Sequence, residues 1–377
     1  MNFTKEYLDR KDMSLIPPTY VTDRAVLDDP AGDYTDENRC FQGIPGIECT
    51  PKGTYTMVFY TGGQSENIGN FLLLFRADDP HRFTKPFMAV VPPDREFTRC
   101  FDPCLWVDPL GHLNLFWAQS FGNFDGRIGV WRAVCEDPDS ETPRFGPPVR
   151  IANGIMMNKP TVIRGGSWLL PCAIWAPATS ELNDIPEEKF ANVYRSDDNG
   201  KTFVLYGHAD CPRRGIDEHM IYERSDGSLR MLIRTSPGIG ESTSYDGGKT
   251  WSDGKDSGLG GPDSRFCVRK LKSGRILLVN HYDYHERDHL TAMLSEDDGE
   301  TWKGFLLLDE RARVSYPDAA QSPDGMINII YDFNRKDDKE ILLARVTEED
   351  ILAGRLTDSR SELKLLLNKA TGTPDGK

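Results

Sequence analysis

Six positions in this chain stand nine residues ahead of a glycine turn: Ile44, Asp102, Met157, Glu218, Arg265 and Tyr316. Four of the six carry side chains that can move a proton or hold an anion. A carboxylic acid placed against a reacting group gives or takes a proton. A phenol with an ordinary pKa near 10 is a weak nucleophile until a base removes its proton. A guanidinium offers forked donors to a carboxylate, a geometry that a lysine ammonium cannot match. Taken singly, each of the four also suits a structural ion pair at the start of a strand. Two acids, an arginine and a tyrosine at one repeated offset, where apolar residues are usual, point to a shared site.

The elements that must position them follow from the turns. Each turn precedes an alternating apolar run: Lys52-Gly53 before TYTMVFY, Leu110-Gly111 before HLNLFWA, and Gly165-Gly166 before SWLLPCAIW. Asp226-Gly227 then precedes SLRMLIR, Ser273-Gly274 precedes RILLVNH, and Asp324-Gly325 precedes MINIIYD. The second glycines are 58, 55, 61, 47 and 51 residues apart. Period-two strands bounded by turns at this spacing predict one four-stranded sheet per unit, hence an all-β, six-bladed β-propeller. The first strand of each blade lines the central channel, so the six positions fall near one channel mouth. Residues 1–38 are expected as an arm on the propeller, placed to supply a closing strand, and 39–346 as the propeller itself. The pattern Thr347-Glu348-Glu349-Asp350 predicts a short helix within a C-terminal tail, 347–377.

A second repeat reinforces the first. Ser196 to Phe203, Ser244 to Trp251 and Ser295 to Trp302 share the form S-x-D-x-G-x-T-aromatic, 48 and 51 residues apart. Asp and Gly at alternate positions suit a tight turn, and the closing aromatic suits packing between sheets. Such turns report architecture and are expected away from the chemistry. Degenerate copies are expected around Arg76-Ala77-Asp78-Asp79 and Trp131-Arg132-Ala133.

These octets are Asp-box (BNR) repeats, and over roughly residues 40–345 the chain resembles the sialidase superfamily. The resemblance implies roles for residues beyond the boxes. Glu218 and Arg234 look like the family's glutamate and second substrate-binding arginine. Arg287, just ahead of an Asp box, is similar to the third arginine. Tyr316, ahead of an Asp-Gly turn, looks like the nucleophilic tyrosine, with Glu218 as its base. The family's F-R-I-P reads Phe41-Gln42-Gly43-Ile44-Pro45 here, so Gly43 stands where the first arginine should be. The acid/base aspartate has no direct match; Glu66 is the nearest carboxylate in that loop and Asp102 is its rival. Arg265 is expected to fill the clamp by converging with Arg234 and Arg287 on one carboxylate.

The implied activity is an exo-acting glycosidase that releases a terminal acidic sugar, sialic acid first, through a tyrosyl-enzyme intermediate. Sialidases use tyrosine because a carboxylate nucleophile would be repelled by the carboxylate on the anomeric carbon. A uronic-acid-directed lyase and a sugar-binding propeller without turnover are the alternatives. The expected partner is an acidic carbohydrate, with no cofactor and no metal; oligomeric state is left open. A net charge of −14 argues against nucleic acid and anionic membranes, and no run of 18 apolar residues could span a bilayer. The charged N-terminus lacks an apolar signal core, and the eight cysteines lack C-x-x-C spacing. Both fit a cytoplasmic chain with reduced thiols, a secreted mature form being the alternative.

Overall fold

The computed structural model describes residues 12–176, 185–282 and 285–373. Six antiparallel sheets follow one another along the chain. Their inner strands are Gln42–Cys49, Thr98–Val107, Thr161–Val162, Met220–Glu223, Cys267–Lys270 and Val314–Gln321. Inner strands of neighbouring blades meet from the third blade round through the sixth and first to the second, giving the six-bladed propeller that the repeats predict.

Each inner strand leaves through the same turn, and the glycines explain why. Gly53, Gly111, Gly166, Gly227, Gly274 and Gly325 all take φ between 85° and 94°, where a side chain would be strained. In every case the glycine N–H donates to the carbonyl three residues earlier, at 2.9 to 3.1 Å. The second strands that follow are almost wholly buried, and their alternating apolar side chains fill the spaces between sheets. Trp117, Trp131 and Trp175 all belong to one such interblade core, which accounts for their aromatic bulk without a ligand.

The three octets close the third strand onto the outer strand with one repeated set of bonds. Ser196, Ser244 and Ser295 donate to the box aspartates at 2.9, 2.9 and 2.8 Å. The box glycine N–H donates back to that serine at 2.8, 2.9 and 2.8 Å. Ser196, Ser244 and Ser295 pair with Trp168, Leu229 and Ile276, beside the glycine turns, so the boxes lie at the opposite end of the blades from the inner-strand starts. Arginines of preceding blades clip two of them: Arg132 donates to Gly200 O at 2.7 Å and Arg230 to Gly299 O at 2.8 Å. In the first blade Asp79 caps a short 3-10 turn where a box would sit. In the second, Trp131-Arg132-Ala133 lies within the third strand, Gly129–Cys135, and not at the box position.

The two ends of the chain differ from expectation. The N-terminal arm adds Thr19–Val21 as a fifth, outer strand on the first blade, pairing with Pro86–Val91, and does not close the ring. The stretch expected as a tail contains the predicted helix, Glu348–Ala353, with Thr347 and Asp350 as a capping box. It also contains Glu362–Lys369, the outer strand of the sixth blade. Ring closure is therefore a seam between blades six and one, made by side chains and by a few backbone bonds such as Thr371 N to Asp36 O at 2.8 Å. Buried Arg39 bonds Gln42, Asp36 and Asn368, and Gln42 Nε2 donates to Lys339 O at 2.7 Å.

The channel is filled below the mouth. Lys159 Nζ donates to Ile47 O and Leu105 O, at 2.8 and 2.6 Å, and lies 3.0 Å from Asp318 Oδ2. All eight cysteines are free thiols; seven are buried and Cys40 is half-buried.

Candidate active site

Three inner strands share a feature that aims one residue near their start at the mouth. Ladder register breaks between Gly43 and Gly46, between Phe101 and Cys104, and between Ser315 and Asp318. Within each break one residue takes the left-handed conformation: Ile44 at φ 51°, Asp102 at 49° and Tyr316 at 53°. Each is followed by proline, which withdraws one N–H from the ladder. A bulge of this kind re-aims a side chain, and positive φ at a non-glycine residue is strain of the sort found at functional sites. The repeated X-Pro at one offset is a sequence signal that the turn spacing alone passes over.

Tyr316 is the centre of the site, almost fully buried. Arg234 Nη1 donates to its Oη at 3.5 Å. The guanidinium carbons of Arg287 and Arg335 lie 5.2 and 4.8 Å from its ring centroid. Burial, then the charge of Glu218, pushes the phenol up to about 12, against the opposing pull of the three arginines. Glu218 Oε2 lies 2.8 Å from the same Arg234 Nη1. Both Glu218 oxygens are buried without a well-directed hydrogen bond, so the contact is short but bent. Arg234 is further anchored by Asp263, with Nε donating to Oδ1 at 2.6 Å. Arg287 Nη2 donates to Asp263 O at 3.2 Å. The structure thus brings Tyr316, Glu218, Arg234 and Arg287 together.

Arg265 is elsewhere. Its Nε donates to Asn158 Oδ1 at 2.8 Å and its Nη2 to Met157 O at 2.9 Å, with Asp318 Oδ1 at 3.9 Å. The expected convergence with Arg234 and Arg287 does not occur, because Arg265 is buried in the channel among partners that hold it there. Arg335, which the turn offset cannot reach, stands by Tyr316 instead. Its stem fills the space that Gly43 leaves open, and its Nη1 pairs with Glu66. Asp332 supports this corner: Oδ2 accepts from Ile44 N at 2.8 Å and Oδ1 from Ser315 Oγ at 2.6 Å.

The two carboxylates considered for the acid role sit in different surroundings. Glu66 is partly exposed and ion-paired with Arg335. Asp102 is buried, and that burial raises its pKa to about 8; Arg99 opposes the rise, while Glu66 and Glu218 add to it. His219, next to Glu218, is turned away: its ring bonds Asn192 O at 2.8 Å, and burial lowers it to about 4. Beside the arginines an open cleft of about 850 Å3 is lined by Asp263, His285, Arg287, Ser315, Arg335 and others. Among the described residues, no group of three His, Cys, Asp or Glu could hold a metal ion.

A propeller of six such blades, with Asp boxes at one end and clustered arginines at the other, defines the sialidase-like class of fold. The profile of the BNR repeat-like domain matches residues 55–329, and the chain belongs to that family. None of the curated proteins matches the chain. Among solved structures, the intramolecular trans-sialidase of Ruminococcus gnavus, in complex with oseltamivir carboxylate, is similar over 85% of this chain and 97% of its own, at 13% identity and a TM-score of 0.64. A Dyadobacter fermentans protein of unknown function is similar over 80% of this chain and 93% of its own, at 18% identity and 0.62. A Trypanosoma rangeli sialidase, with 2,3-difluorosialic acid as a covalent intermediate, is similar over 91% of this chain and 56% of its own, at 14% identity and 0.60. At these identities the likeness is one of fold.

Proposed function

We propose that this chain is an exo-acting glycosidase that releases a terminal acidic sugar, sialic acid first, through a tyrosyl-enzyme intermediate. The observation that carries the reading is Tyr316, held by a bulge at the channel mouth, with one Arg234 nitrogen touching both its hydroxyl and Glu218, and two more guanidiniums against its ring. A bound carboxylate would take the forked donors of Arg234 and Arg287, leaving the adjacent anomeric carbon before Tyr316 Oη. Glu218 takes the phenol proton as Oη bonds to that carbon. Asp102, protonated up to about pH 8, gives its proton to the departing glycosidic oxygen. The resulting Asp102 carboxylate then deprotonates a water that displaces Tyr316, and Glu218 returns its proton to the departing phenoxide, which restores the phenol. Glu66, engaged by Arg335, is the weaker candidate for the acid. The Trypanosoma rangeli sialidase, a protein of like fold, forms a covalent intermediate with a fluorinated sialic acid, which supports the route.

One observation favours a binding protein without turnover: burial makes the Tyr316 phenol harder to ionise, not easier. Mass analysis of products from a panel of acidic-sugar aryl glycosides and uronides separates the readings. A free sugar heavier by one water supports hydrolysis, an unsaturated product supports a lyase, and no product supports binding alone. A 3-fluoro acidic-sugar fluoride should label Tyr316, and Tyr316→Phe should lower kcat roughly a thousandfold. Labelling at another residue, or near-normal turnover by the phenylalanine variant, defeats the mechanism.

A further inference from the structure

We propose that Arg335 is the third carboxylate-binding cation of this site, supplied from the sixth blade in place of an inner-strand arginine on the first, and that Glu66 is its positioning residue. The proposal rests on the acidic-sugar reading above and assigns the part of the site that the sequence leaves incomplete.

The space tells the story. Gly43 is on the inner strand of the first blade, and its backbone does not need glycine, since its φ is not positive. Any side chain there would nevertheless run into the stem of Arg335, whose Cγ lies 2.7 Å from where a Cβ would stand, with Asp332 Oδ2 at 3.1 Å. One residue gives up its side chain and another, two positions past the strand Ile327–Phe333, grows into the vacancy. The arriving guanidinium reaches as close to the Tyr316 ring as that of Arg287 does, 4.8 against 5.2 Å. Arg287 and Arg335 line the same open cleft.

Ordering a side chain as long as arginine costs rotamer freedom. Two carboxylates offset that cost. Glu66 pairs with Nη1, and Asp332 Oδ2 lies 3.9 Å from Nε. Asp332 is itself fixed by Ile44 N and Ser315 Oγ. No described residue bonds Nη2, and the side chain is 18% exposed, so one donor edge of the fork stays open towards the cleft. An arginine used only to tie blades one and six would be expected to spend that edge on protein.

The ligand class is a sugar whose carboxylate sits beside the reacting carbon, and the probe is the methyl α-glycoside of sialic acid against its carboxyl methyl ester. Calorimetry on the full chain should show the acid bound tenfold to a hundredfold more tightly than the ester, and Arg335→Ala should remove about tenfold of that preference. Gly43→Ala, which displaces the same side chain without deleting it, should act in the same direction. The double variant Gly43→Arg with Arg335→Ala restores a guanidinium from the first blade and should regain most of the preference. Glu66→Ala should raise KM more than it lowers kcat, with Glu66→Gln intermediate. Full acid preference in both Arg335→Ala and Gly43→Ala overturns the proposal, as does a wild-type chain indifferent to esterification. Acid preference without release of sugar defeats the glycosidase reading and leaves the clamp standing; turnover with unchanged preference in Arg335→Ala does the reverse.

Discussion

At the scale of single residues, the site separates its carboxyl groups by how far each is removed from water. Asp102 loses its hydration to the second blade, and the neutral form is favoured until about pH 8. In the unfolded chain the same group releases its proton near 3.9. Between those values the folded protein holds a proton that the unfolded chain does not, so the Asp102 contribution to stability declines as pH rises from about 4 to about 8. Two outcomes follow for Asp102→Asn. It should be more stable than the wild type at pH 8, by calorimetric melting. It should also fail on substrates with poor leaving groups while sparing activated aryl glycosides, and should lack the fall in kcat/KM above about pH 8 that is expected of the wild type. If Glu66→Gln shows that leaving-group dependence and Asp102→Asn does not, the acid is Glu66.

At the scale of elements, the propeller keeps its Asp-box turns and its candidate site at opposite ends of the blades. The Asp246 carboxylate accepts from Ser244 Oγ, from the Lys249 and Thr250 amides, and from Thr250 Oγ1 at 2.6 Å. Those bonds, the Thr250 hydroxyl first, hold its pKa down to about 2. A depressed carboxylate stabilises the fold above the unfolded value near 3.9, and that contribution is lost as pH falls towards 2. Asp246→Ala should therefore lower Tm at neutral pH by roughly 2–4 °C, and less at pH 3, with kcat and KM unchanged. A change in KM would mean that the box communicates with the mouth. The bulged strands work the other way: they give up ladder bonds at Ile44, Asp102 and Tyr316, where the side chains meet the site.

At the scale of the whole molecule, the ring is closed without a strand exchanged between its ends. The sixth blade is built from one continuous stretch, and the seam to the first blade depends on Arg39 and Gln42. Arg39 is completely buried, and removing it leaves Gln42 and Asn368 with unmet bonding capacity in the interior. Arg39→Ala should cost about 2–4 kcal/mol in chemical denaturation. Because Arg335, Asp332 and Glu66 span that same seam, the variant should also raise KM for acidic sugars. Loss of stability with unchanged KM would show that the seam and the site are independent.

What the chain determines by itself is what local physics enforces. Glycine at positive φ, alternating strands and Asp-box hydrogen bonds all act within about ten residues, so the blade count, the turns and the channel-mouth offset are legible in order along the sequence. That offset reaches Glu218 and Tyr316, and the family resemblance adds Arg234 and Arg287. Arg265 shares the offset but not the site, because its direction depends on Asn158, Met157 and Asp318 from other blades. Arg335 fills the space beside Gly43, although nothing near Gly43 in sequence announces it. Which cation fills a vacancy, and which carboxyl group keeps its proton, are decided by packing and desolvation between residues brought together only when the ring closes.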